Sequence, residues 1–331
     1  MTFPPADLDI FKNVVGDGAS VLVSTHIHPD PDAIGSALAA AEIVKRLGGV
    51  PTIVLEDKVP ERCRFLPGAE TIISYPASPV TQRFDVAVIV DAGGLSRIGQ
   101  VEELLAVNAR LINIDHHLSN DRFGSINFVS LDCAATAELL YLLCRELDLV
   151  IDPEIAANLF AGLLTDTGRF RYSNTTTRTL HIASELAAAG ADVTRITNGL
   201  YFDIPEADIR SMSVIYSTLE LFAGGQISTM FVKREQLVED PDTIVDLALS
   251  VRGVRTAALL SETFEEKIRV SLRSRDTVNV ARIAEKFGGG GHERAAGFRM
   301  KGTLESVRER LLPELMAALN DRPSPTEPEQ V

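Results

Sequence analysis

Short runs of β-branched and aliphatic residues alternate with longer amphipathic segments through the first half of the chain. The apolar runs predict strands over residues 21–25, 51–55, 86–90 and 111–115. The amphipathic segments predict helices over residues 33–47, 101–107, 134–147, 153–164 and 176–189. Alternation of this kind indicates a parallel sheet that is covered by helices on both faces.

The pattern changes after residue 191. Glycine and proline interrupt the helical periodicity over residues 192–210, which we interpret as a linker. Beyond it, the pattern predicts a smaller mixed sheet, with strands over 227–232, 256–262 and 267–273 and helices over 244–251 and 280–287.

The predicted fold class is therefore α/β with two lobes. An N-terminal, Rossmann-like parallel-sheet domain spans residues 1–191, and a smaller C-terminal mixed-sheet α/β domain spans residues 211–322. Residues 323–331 are rich in proline and acidic side chains, and we expect a disordered tail there.

Polar clusters stand where predicted strands and one helix end. His26–Asp32 follows the first strand, Asp91 the third, and Asp115-His116-His117 the fourth, while Asp166 follows the helix over 153–164. Because the carboxyl ends of parallel strands share one crevice, we expect these side chains to converge. A mixed carboxylate and imidazole set suits Mn²⁺ or Mg²⁺ better than a metal that prefers thiolates.

The first cluster lies in a loop stiffened by Pro29 and Pro31, since proline fixes its own φ and restricts the residue before it. Such a loop can present carboxylates to a metal with little loss of conformational entropy on binding. An acidic residue before a helix is also common as a simple N-cap. The cluster therefore predicts a metal site only in combination with the other three positions.

The charge of the chain limits the kinds of binding partner. The net charge of −14 argues against clamping a long nucleic acid, although residues 251–301 carry eleven Lys/Arg against six Asp/Glu.

The three cysteines form no CxxC motif, which indicates small buried residues in a reducing compartment. No secretory signal and no membrane-spanning run is evident, so we expect a cytoplasmic protein without membrane contact.

The motifs together resemble the DHH phosphoesterase family. The resemblance rests on His-x-His-Pro-Asp-Pro-Asp-Ala-Ile-Gly-Ser from His26, on Asp91 followed by Arg97 and Gly99, on Asp115-His116-His117, and on Asp166-Thr167-Gly168. The segment Gly288–Gly297 is similar to the signature of the DHH-associated C-terminal domain. The resemblance covers about residues 15–320 in the family's order, and it is nearest to the oligoribonuclease (nano-RNase) and pAp phosphatase type.

This resemblance implies two Mn²⁺ ions, with Mg²⁺ or Co²⁺ as substitutes. One ion would be held by His26, Asp30 and Asp91. The other would be held by Asp32, His116 and Asp166, with Asp91 bridging both. Two such ions would activate a water molecule and stabilise the attacking and leaving oxygens of a phosphoester.

The resemblance also implies roles around the ions. Asp115 would orient His116, His117 would reach the scissile phosphate, and Arg97 would neutralise a phosphate oxygen, although a surface arginine that caps a helix is an alternative interpretation. His28 receives no role.

Four successive glycines, Gly288–Gly291, are unfavourable for folding because each loses much conformational entropy. We interpret them as a place where backbone amides approach a phosphate. The resemblance implies nucleotide contacts away from the cleaved bond by Arg273, Ser274, Gly290, Gly291, His292 and Arg294.

The predicted function is Mn-dependent hydrolysis of short oligoribonucleotides to mononucleotides, of 3′-phosphoadenosine 5′-phosphate (pAp) to AMP, or of both. The partner would be a short RNA or nucleotide and not a long duplex, and a homodimer is compatible with the resemblance. The main alternative is a phosphodiesterase for cyclic di-AMP or a linear dinucleotide. A pyrophosphatase or exopolyphosphatase would be expected to lack the glycine–histidine loop. A single-strand DNA exonuclease would need further domains. A non-catalytic nucleotide sensor would have lost one or more metal ligands.

Overall fold

The computed structural model describes residues 3–75, 80–236, 241–275 and 277–320; of residues 241–243, 292 and 320 it describes the backbone alone. The chain divides into two compact units, Met1–Asp203 and Ile204–Val331. The division falls inside the segment 192–210 that the sequence marked as a linker. The predicted tail over 323–331 lies outside the described residues.

The first unit contains a six-stranded sheet in the order β3-β2-β1-β4-β5-β6, with every pair parallel. Its strands are β1 (Ser20–Ser24), β2 (Val50–Leu55), β3 (Ile73–Ser74), β4 (Phe84–Val90), β5 (Leu105–Asp115) and β6 (Ile126–Val129). Its helices are α1 (Pro5–Val15), α2 (Pro31–Arg46), α3 (Thr136–Glu146), α4 (Pro153–Asp166), α5 (Thr177–Ala188) and α6 (Val193–Tyr201). The prediction of a parallel-sheet N-terminal domain is confirmed.

The two faces of this sheet are covered differently. Val23 and Val88 face a core that also contains Ile34 of α2 and Leu159 of α4. On the other face, Leu22 and Ile89 pack against a 3₁₀ segment, Leu95–Leu104, and not against an α-helix. The predicted helix over 101–107 is therefore wrong. Gly99 interrupts the helical backbone with a φ of 63°, and the chain enters β5 at Leu105.

Helices α2 and α4 cross at two glycines. A Cβ atom added to Gly35 would lie 2.2 Å from the carbonyl oxygen of Asn158, and one added to Gly162 would lie 2.2 Å from Oδ1 of Asp32. Only glycine permits this approach of the two backbones. The contact places the first turn of α2, with Asp32, against the helix that ends at Asp166.

The second unit contains a six-stranded mixed sheet in the order β11-β12-β10-β9-β8-β7, in which only β8 and β9 are parallel among the described pairs. Its strands are β7 (Glu220–Phe222), β8 (Ile227–Val232), β9 (Thr256–Glu262), β10 (Lys267–Ser274), β11 (Gly290–His292) and β12 (Ala295–Lys301). Its helices are α7 (Glu206–Ser217), α8 (Pro241–Ser250), α9 (Val280–Lys286) and α10 (Leu304–Asn320). The predicted mixed-sheet α/β domain is confirmed.

The cysteines behave as the sequence indicated. Cys63, Cys133 and Cys144 are buried with free thiols. Burial raises the pKa of the Cys144 thiol to about 12, which suppresses the reactive thiolate. Within the described part of the chain, no helix has the length and apolar character needed to cross a membrane.

We predict that Gly35→Ala lowers the free energy of unfolding, because the new methyl group collides with the backbone of α4. Overpacking of this kind costs about 1–3 kcal/mol. Thermal unfolding measures the change. Gly290→Ala is a matched control, since a Cβ atom there meets no atom within 4 Å. Equal melting temperatures for Gly35→Ala and the wild type would contradict the close helix crossing.

Candidate metal centre

Acidic and imidazole side chains converge at one end of the parallel sheet. They come from the carboxyl ends of β1, β4 and β5, from the first turn of α2 and from the end of α4. Their potential ligand atoms form three groups, each within 4.8 Å, which consist of His26, Asp30 and Asp91; of Asp32, His116 and Asp166; and of Asp91, His116 and His117. The predicted ligands from four separate motifs therefore lie together, and they can hold metal.

The first group is centred on His26, which follows β1. Its Nε2 atom lies 3.5 Å from Oδ2 of Asp91 and 3.9 Å from Oδ2 of Asp30. Asp30 is the N-cap of α2, and its Oδ1 accepts a hydrogen bond from the Ala33 amide at 2.9 Å. The N-cap interpretation of Asp30 is thus correct for one carboxylate oxygen, while the other oxygen faces His26.

The second group contains a fully buried carboxylate. Asp32 is 0% exposed, and its oxygens accept from the Thr136 amide at 2.8 Å, the Ala137 amide at 3.1 Å and the Ser36 hydroxyl at 3.1 Å. Nε2 of His116 lies 3.1 Å from Oδ2 of Asp166. Backbone amides at the start of α3 therefore fix Asp32 without using another charged side chain.

Asp91 belongs to two of the groups. It is 1% exposed and adopts a φ of 54°, which is uncommon for a residue with a side chain. Its Oδ1 lies 3.7 Å from Nε2 of His116 and 3.7 Å from Nδ1 of His117. Strained backbone of this kind persists where the surrounding structure holds it, often at functional sites.

Hydrogen bonds orient the imidazoles. Nδ1 of His26 donates to the Ile27 carbonyl at 2.9 Å, and Nδ1 of His116 donates to the Cys133 carbonyl at 3.3 Å. Each Nε2 atom is then the one directed at the carboxylates. Protein groups that orient ligand histidines in this way are typical of metal sites.

The prediction that Asp115 orients His116 is wrong. Oδ1 of Asp115 accepts from Nδ1 of His117 at 2.6 Å, and its Oδ2 accepts from the Asn120 amide at 2.6 Å. Asp115 is the last residue of β5, and residues two apart in an extended chain point to the same side. His117, and not His116, therefore lies within its reach.

The charged groups in this cluster shift one another's pKa values. Burial and the neighbouring carboxylates Asp166 and Asp91 raise the pKa of Asp30 to about 6, and burial and the same two carboxylates raise the pKa of Asp32 well above its usual range. Burial also acts on Asp91, but its hydrogen bond to His26 and the charges of the nearby histidines outweigh burial and hold the pKa of Asp91 below its usual value.

The donor set fits a divalent cation. Ionised carboxylates at these distances repel one another in a desolvated place, and a cation offsets that repulsion. Carboxylate oxygens combined with imidazole nitrogens match Mn²⁺ and Mg²⁺ better than ions that prefer sulfur.

Arg97 and His28 lie near the metal-ligand groups in sequence but contact other parts of the chain. Arg97 is exposed, and its backbone carbonyl accepts from the Ile27 amide at 2.7 Å. The backbone amide of His28 donates to Oδ2 of Asp57 at 2.6 Å, and its ring lies 3.5 Å from the same oxygen. Arg97 therefore ties the 3₁₀ segment to the loop after β1, and His28 is directed at Asp57.

Three of the side chains predicted to contact a nucleotide in the second unit have contacts within the protein. Nε of Arg273 lies 3.5 Å from Asp246, and Arg294 donates to the Val278 carbonyl at 2.8 Å. The Ser274 hydroxyl is buried and donates to Val278 at 2.5 Å. This hydroxyl therefore points away from the side chain of Arg273, because neighbouring residues on a strand point to opposite faces, and the role of Ser274 stays a prediction. The side chain of His292 lies outside the described part of the chain.

The glycine run has more than one cause. A Cβ atom at Gly289 would lie 2.1 Å from the Gly297 carbonyl oxygen, and Gly291 has a φ of 138°. Close approach of β12 therefore explains these two glycines, which the sequence analysis interpreted as a place where amides approach a phosphate. At Gly290 an added Cβ atom meets nothing within 4 Å, so its backbone remains open to a ligand.

One segment that sequence reasoning missed, Cys133–Glu138, contacts three of the predicted ligands. Besides the bonds to Asp32 and His116 described above, the Thr136 hydroxyl donates to Oδ1 of Asp91 at 2.8 Å. Glu138, 0% exposed, accepts from the Ala134 amide at 3.1 Å and from Arg178 Nε at 2.6 Å. The available sequence signal was a glutamate at the third helical position, which is typical of helix starts.

A left-handed turn follows Asp166. Gly168, Arg169 and Phe170 have φ values of 56°, 62° and 60°. The buried Thr167 hydroxyl accepts from the Phe170 amide at 3.1 Å, and the Asn174 side chain donates to the Asp166 carbonyl at 3.0 Å. These bonds hold the unfavourable turn and fix the end of α4.

Family comparisons agree with the two-unit division of the chain. The family model "DHH family, N-terminal domain" matches residues 20–163, and the "DHHA1 domain" model matches residues 226–322. The predicted resemblance to DHH proteins is confirmed by these matches.

Curated relatives match most of the chain. A protein of Thermus thermophilus named "Bifunctional oligoribonuclease and PAP phosphatase NrnA" is 36% identical over 315 residues, which cover 92% of this chain and 93% of the relative. A protein of Bacillus subtilis with the same name is 27% identical and covers 84% of this chain and 88% of the relative.

Solved structures agree on the fold. An exopolyphosphatase-related protein from Bacteroides fragilis has a TM-score of 0.88 and 26% identity, covering 96% of this chain and 98% of that one. RecJ from Thermus thermophilus, solved with Mn²⁺, has a TM-score of 0.54 at 15% identity, covers 96% of this chain and 55% of that one, and is similar in fold alone.

We predict that Thr136→Val weakens Mn²⁺ binding about tenfold or more, because it removes the donor to Asp91 while keeping the side-chain volume. Loss of a partner behind a metal ligand typically costs about 10–100-fold in metal affinity or activity. Isothermal titration calorimetry measures the affinity. Thr136→Ser should retain it. Thr229→Val, at a buried threonine of β8, is the matched control; equal affinities for Thr136→Val and this control would contradict the assigned contact.

Proposed function

The chain belongs to the DHH family of phosphoesterases and is a hydrolase, and we propose that it cleaves short oligoribonucleotides to mononucleotides and removes the 3′-phosphate of pAp to give AMP. One observation carries the proposal: the ligand groups that share Asp91 lie at a buried sheet end. The curated relatives that match over most of the chain are named for both activities.

We propose that the centre holds two divalent ions, Mn²⁺ first, with Mg²⁺ or Co²⁺ as substitutes. His26, Asp30 and Asp91 would hold one ion, and Asp32, His116 and Asp166 would hold the other together with Asp91. When bound, such ions supply charge stabilisation to phosphoryl oxygens and make a water molecule more acidic. The remaining chemistry belongs to the side chains of the protein.

His117 is the side chain we assign to the reacting phosphate. Its Nδ1–H is directed at Asp115, which Asn120 holds from the other side. The ring is therefore fixed in orientation, and Nε2 is the atom that would donate to a phosphate oxygen or exchange a proton with it. Arg97, which is exposed near the loop after β1, would neutralise a further phosphate oxygen.

The second unit would bind the nucleotide away from the cleaved bond. Arg273 and Arg294 would carry the charge for phosphate contacts, and the open space beside Gly290 would let a phosphate approach the backbone of Gly290 and Gly291. His292 completes this proposed set. The pairing of Arg273 with Asp246 leaves the arginine half-buried and oriented before substrate arrives.

The decisive experiment is a product-resolved assay of the purified protein with Mn²⁺. The substrates are pAp, a ladder of di- to pentaribonucleotides, a 24-nucleotide RNA, cyclic di-AMP and inorganic polyphosphate. We expect AMP from pAp, mononucleotides from the short ladder and a fall in efficiency for the long RNA, because an acidic chain repels it. Faster cleavage of polyphosphate or cyclic di-AMP than of pAp and the short ladder would show that the proposed substrate class is wrong.

Asp91→Asn tests the metal-dependent part of the function. The substitution keeps the shape of the side chain but removes the charge that two ligand groups share. We predict loss of turnover on every substrate and weaker Mn²⁺ binding, with chelator abolishing wild-type activity. Asp85→Asn, an exposed aspartate at the other end of β4, is the control. Near wild-type turnover by folded, metal-saturated Asp91→Asn would overturn the assignment.

Arg273→Gln tests the division of roles between the units. We predict a roughly ten- to a hundredfold rise in KM, since a hydrogen bond to a charged group is worth about 1.5–3 kcal/mol, while Mn²⁺ affinity stays unchanged. The double variant Arg273→Gln/Asp246→Asn controls for an aspartate left without its arginine. Loss of bound metal in Arg273→Gln would place this arginine in the catalytic centre and contradict the division.

A further inference from the structure

The turn after Asp166 has a backbone that two of its side chains make unfavourable. Gly168, Arg169 and Phe170 adopt left-handed φ values of 56°, 62° and 60° in succession. This conformation is uncommon for residues with a side chain, and it rarely extends beyond a single residue. Glycine would adopt it without strain. The arginine and the phenylalanine therefore need a reason that the turn itself does not supply.

Packing accounts for Phe170 but not for Arg169. The ring of Phe170 packs edge-on against Phe160, with 6.3 Å between the centroids, beside the main core of the first unit. The backbone amide of Arg169 donates to the Leu164 carbonyl at 2.8 Å, which any residue except proline could do. The reason for an arginine at position 169 must therefore lie in its side chain.

The guanidinium of Arg169 lies on an aromatic ring. Its Cζ atom is 4.8 Å from the centroid of the Tyr201 ring. A cation–π contact uses the face of the guanidinium, so the five N–H groups at its edge stay available. Among the residues that the structure describes, none forms a hydrogen bond or an ion pair with this guanidinium. Arg169 is thus an oriented set of donors without an acceptor in that part of the chain.

The other arginine of the turn is used differently. Nε of Arg171 donates to the Gly168 carbonyl at 2.9 Å, and its guanidinium lies 5.7 Å from the centroid of the Tyr172 ring. Arg171 therefore stabilises the turn through its own side chain. Arg169 makes no such bond to the turn, although it is only two residues away.

Burial and charge indicate an anion at Arg169. The residue is half-buried, and a cation that loses water without a compensating partner is unfavourable. The chain has 46 Asp and Glu residues, yet no carboxylate in the described ranges pairs with Arg169. The planar fork of a guanidinium matches the oxygens of a phosphate group. Because the substrate of a phosphoesterase carries phosphate groups, phosphate is the anion we expect there.

The turn keeps Arg169 next to a predicted metal ligand. Helix α4 ends at Asp166, and the hydrogen bond from the Arg169 amide to Leu164 holds residue 169 beside the last turn of that helix. The Asn174 side chain donates to the Asp166 carbonyl at 3.0 Å from the far side of the turn. Arg169 and Asp166 therefore belong to one hydrogen-bonded segment of the first unit.

We propose that Arg169, stacked on Tyr201, binds a phosphate group of the substrate other than the one that is hydrolysed. This assignment rests on the proposed function, and it adds a phosphate contact from the first unit to those proposed for the second. The 5′-phosphate of pAp is such a group, and 5′-phosphorylated oligoribonucleotides carry one or more. Adenosine 3′-monophosphate (3′-AMP) has the same reacting phosphate as pAp and lacks the other.

Kinetics on pAp and 3′-AMP test the proposal. We expect Arg169→Gln to lower the ratio of kcat/KM for pAp to kcat/KM for 3′-AMP about ten- to a hundredfold, because only pAp loses a charged hydrogen bond. Mn²⁺ affinity should equal that of the wild type. Arg171→Gln is the matched control, since this arginine already bonds to the turn, and its ratio should equal the wild-type ratio. If 3′-AMP binds without being cleaved, its inhibition constant against pAp is compared across the variants.

Further variants separate phosphate binding from a role in stability. Arg169→Gly relieves the left-handed strain that Arg169→Gln retains, so its melting temperature should be equal or higher. Both variants should have the same low ratio, since both lack the guanidinium. Arg169→Lys keeps the charge without the planar fork and should give an intermediate ratio. A ratio that recovers in Arg169→Gly together with the melting temperature would show that residue 169 acts only through the turn.

Two other results would overturn the phosphate site. One is a wild-type ratio in Arg169→Gln, and the other is a loss of activity by the same factor on both substrates. If the wild type hydrolyses neither substrate, the proposed function has failed, and calorimetric titration with AMP and with adenosine then judges the site. Weaker AMP binding by Arg169→Gln with unchanged adenosine binding supports it. Equal AMP affinity, or no AMP binding by the wild type, overturns it.

Discussion

Mutual repulsion of clustered carboxylates is the constraint on which the first unit depends. Asp32 and Asp91 are buried, Asp30 and Asp166 are half-buried, and at these short distances their charges raise one another's free energy. The protein counters this repulsion with amides at the start of α3, with the hydroxyls of Ser36 and Thr136 and with imidazoles. A site of this kind could hold divalent cations, as the proposed metal-dependent hydrolysis requires.

The fold explains how distant residues reach this place. Parallel strands end at the same edge, and crossing of α2 and α4 at Gly35 and Gly162 brings two further carboxylates to it. Cys133–Glu138 then acts as one orienting segment, because its hydrogen bonds reach three predicted ligands from three different motifs. Burial of Glu138 with Arg178 holds that segment. The geometry of the centre thus depends on residues outside the predicted ligand set.

Patterns in the sequence were sufficient where a single local rule decides the outcome. The alternation of strands and helices predicted both sheets, and ligand clusters at strand ends predicted the groups that converge. They failed where the partner is distant. Nothing local tells that Thr136 reaches Asp91 or that β12 approaches Gly289. Asp115 and Ser274 are different cases, since alternation in an extended chain alone would have directed Asp115 at His117 and placed Ser274 on the face opposite Arg273.

The most direct test of the account is anomalous diffraction at the manganese edge from crystals grown with Mn²⁺. The account predicts two peaks at the end of the parallel sheet, one beside His26 and Asp30, the other beside His116 and Asp166, with Asp91 between them. A single peak at saturating Mn²⁺, or peaks remote from Asp91, would contradict the proposed two-ion centre.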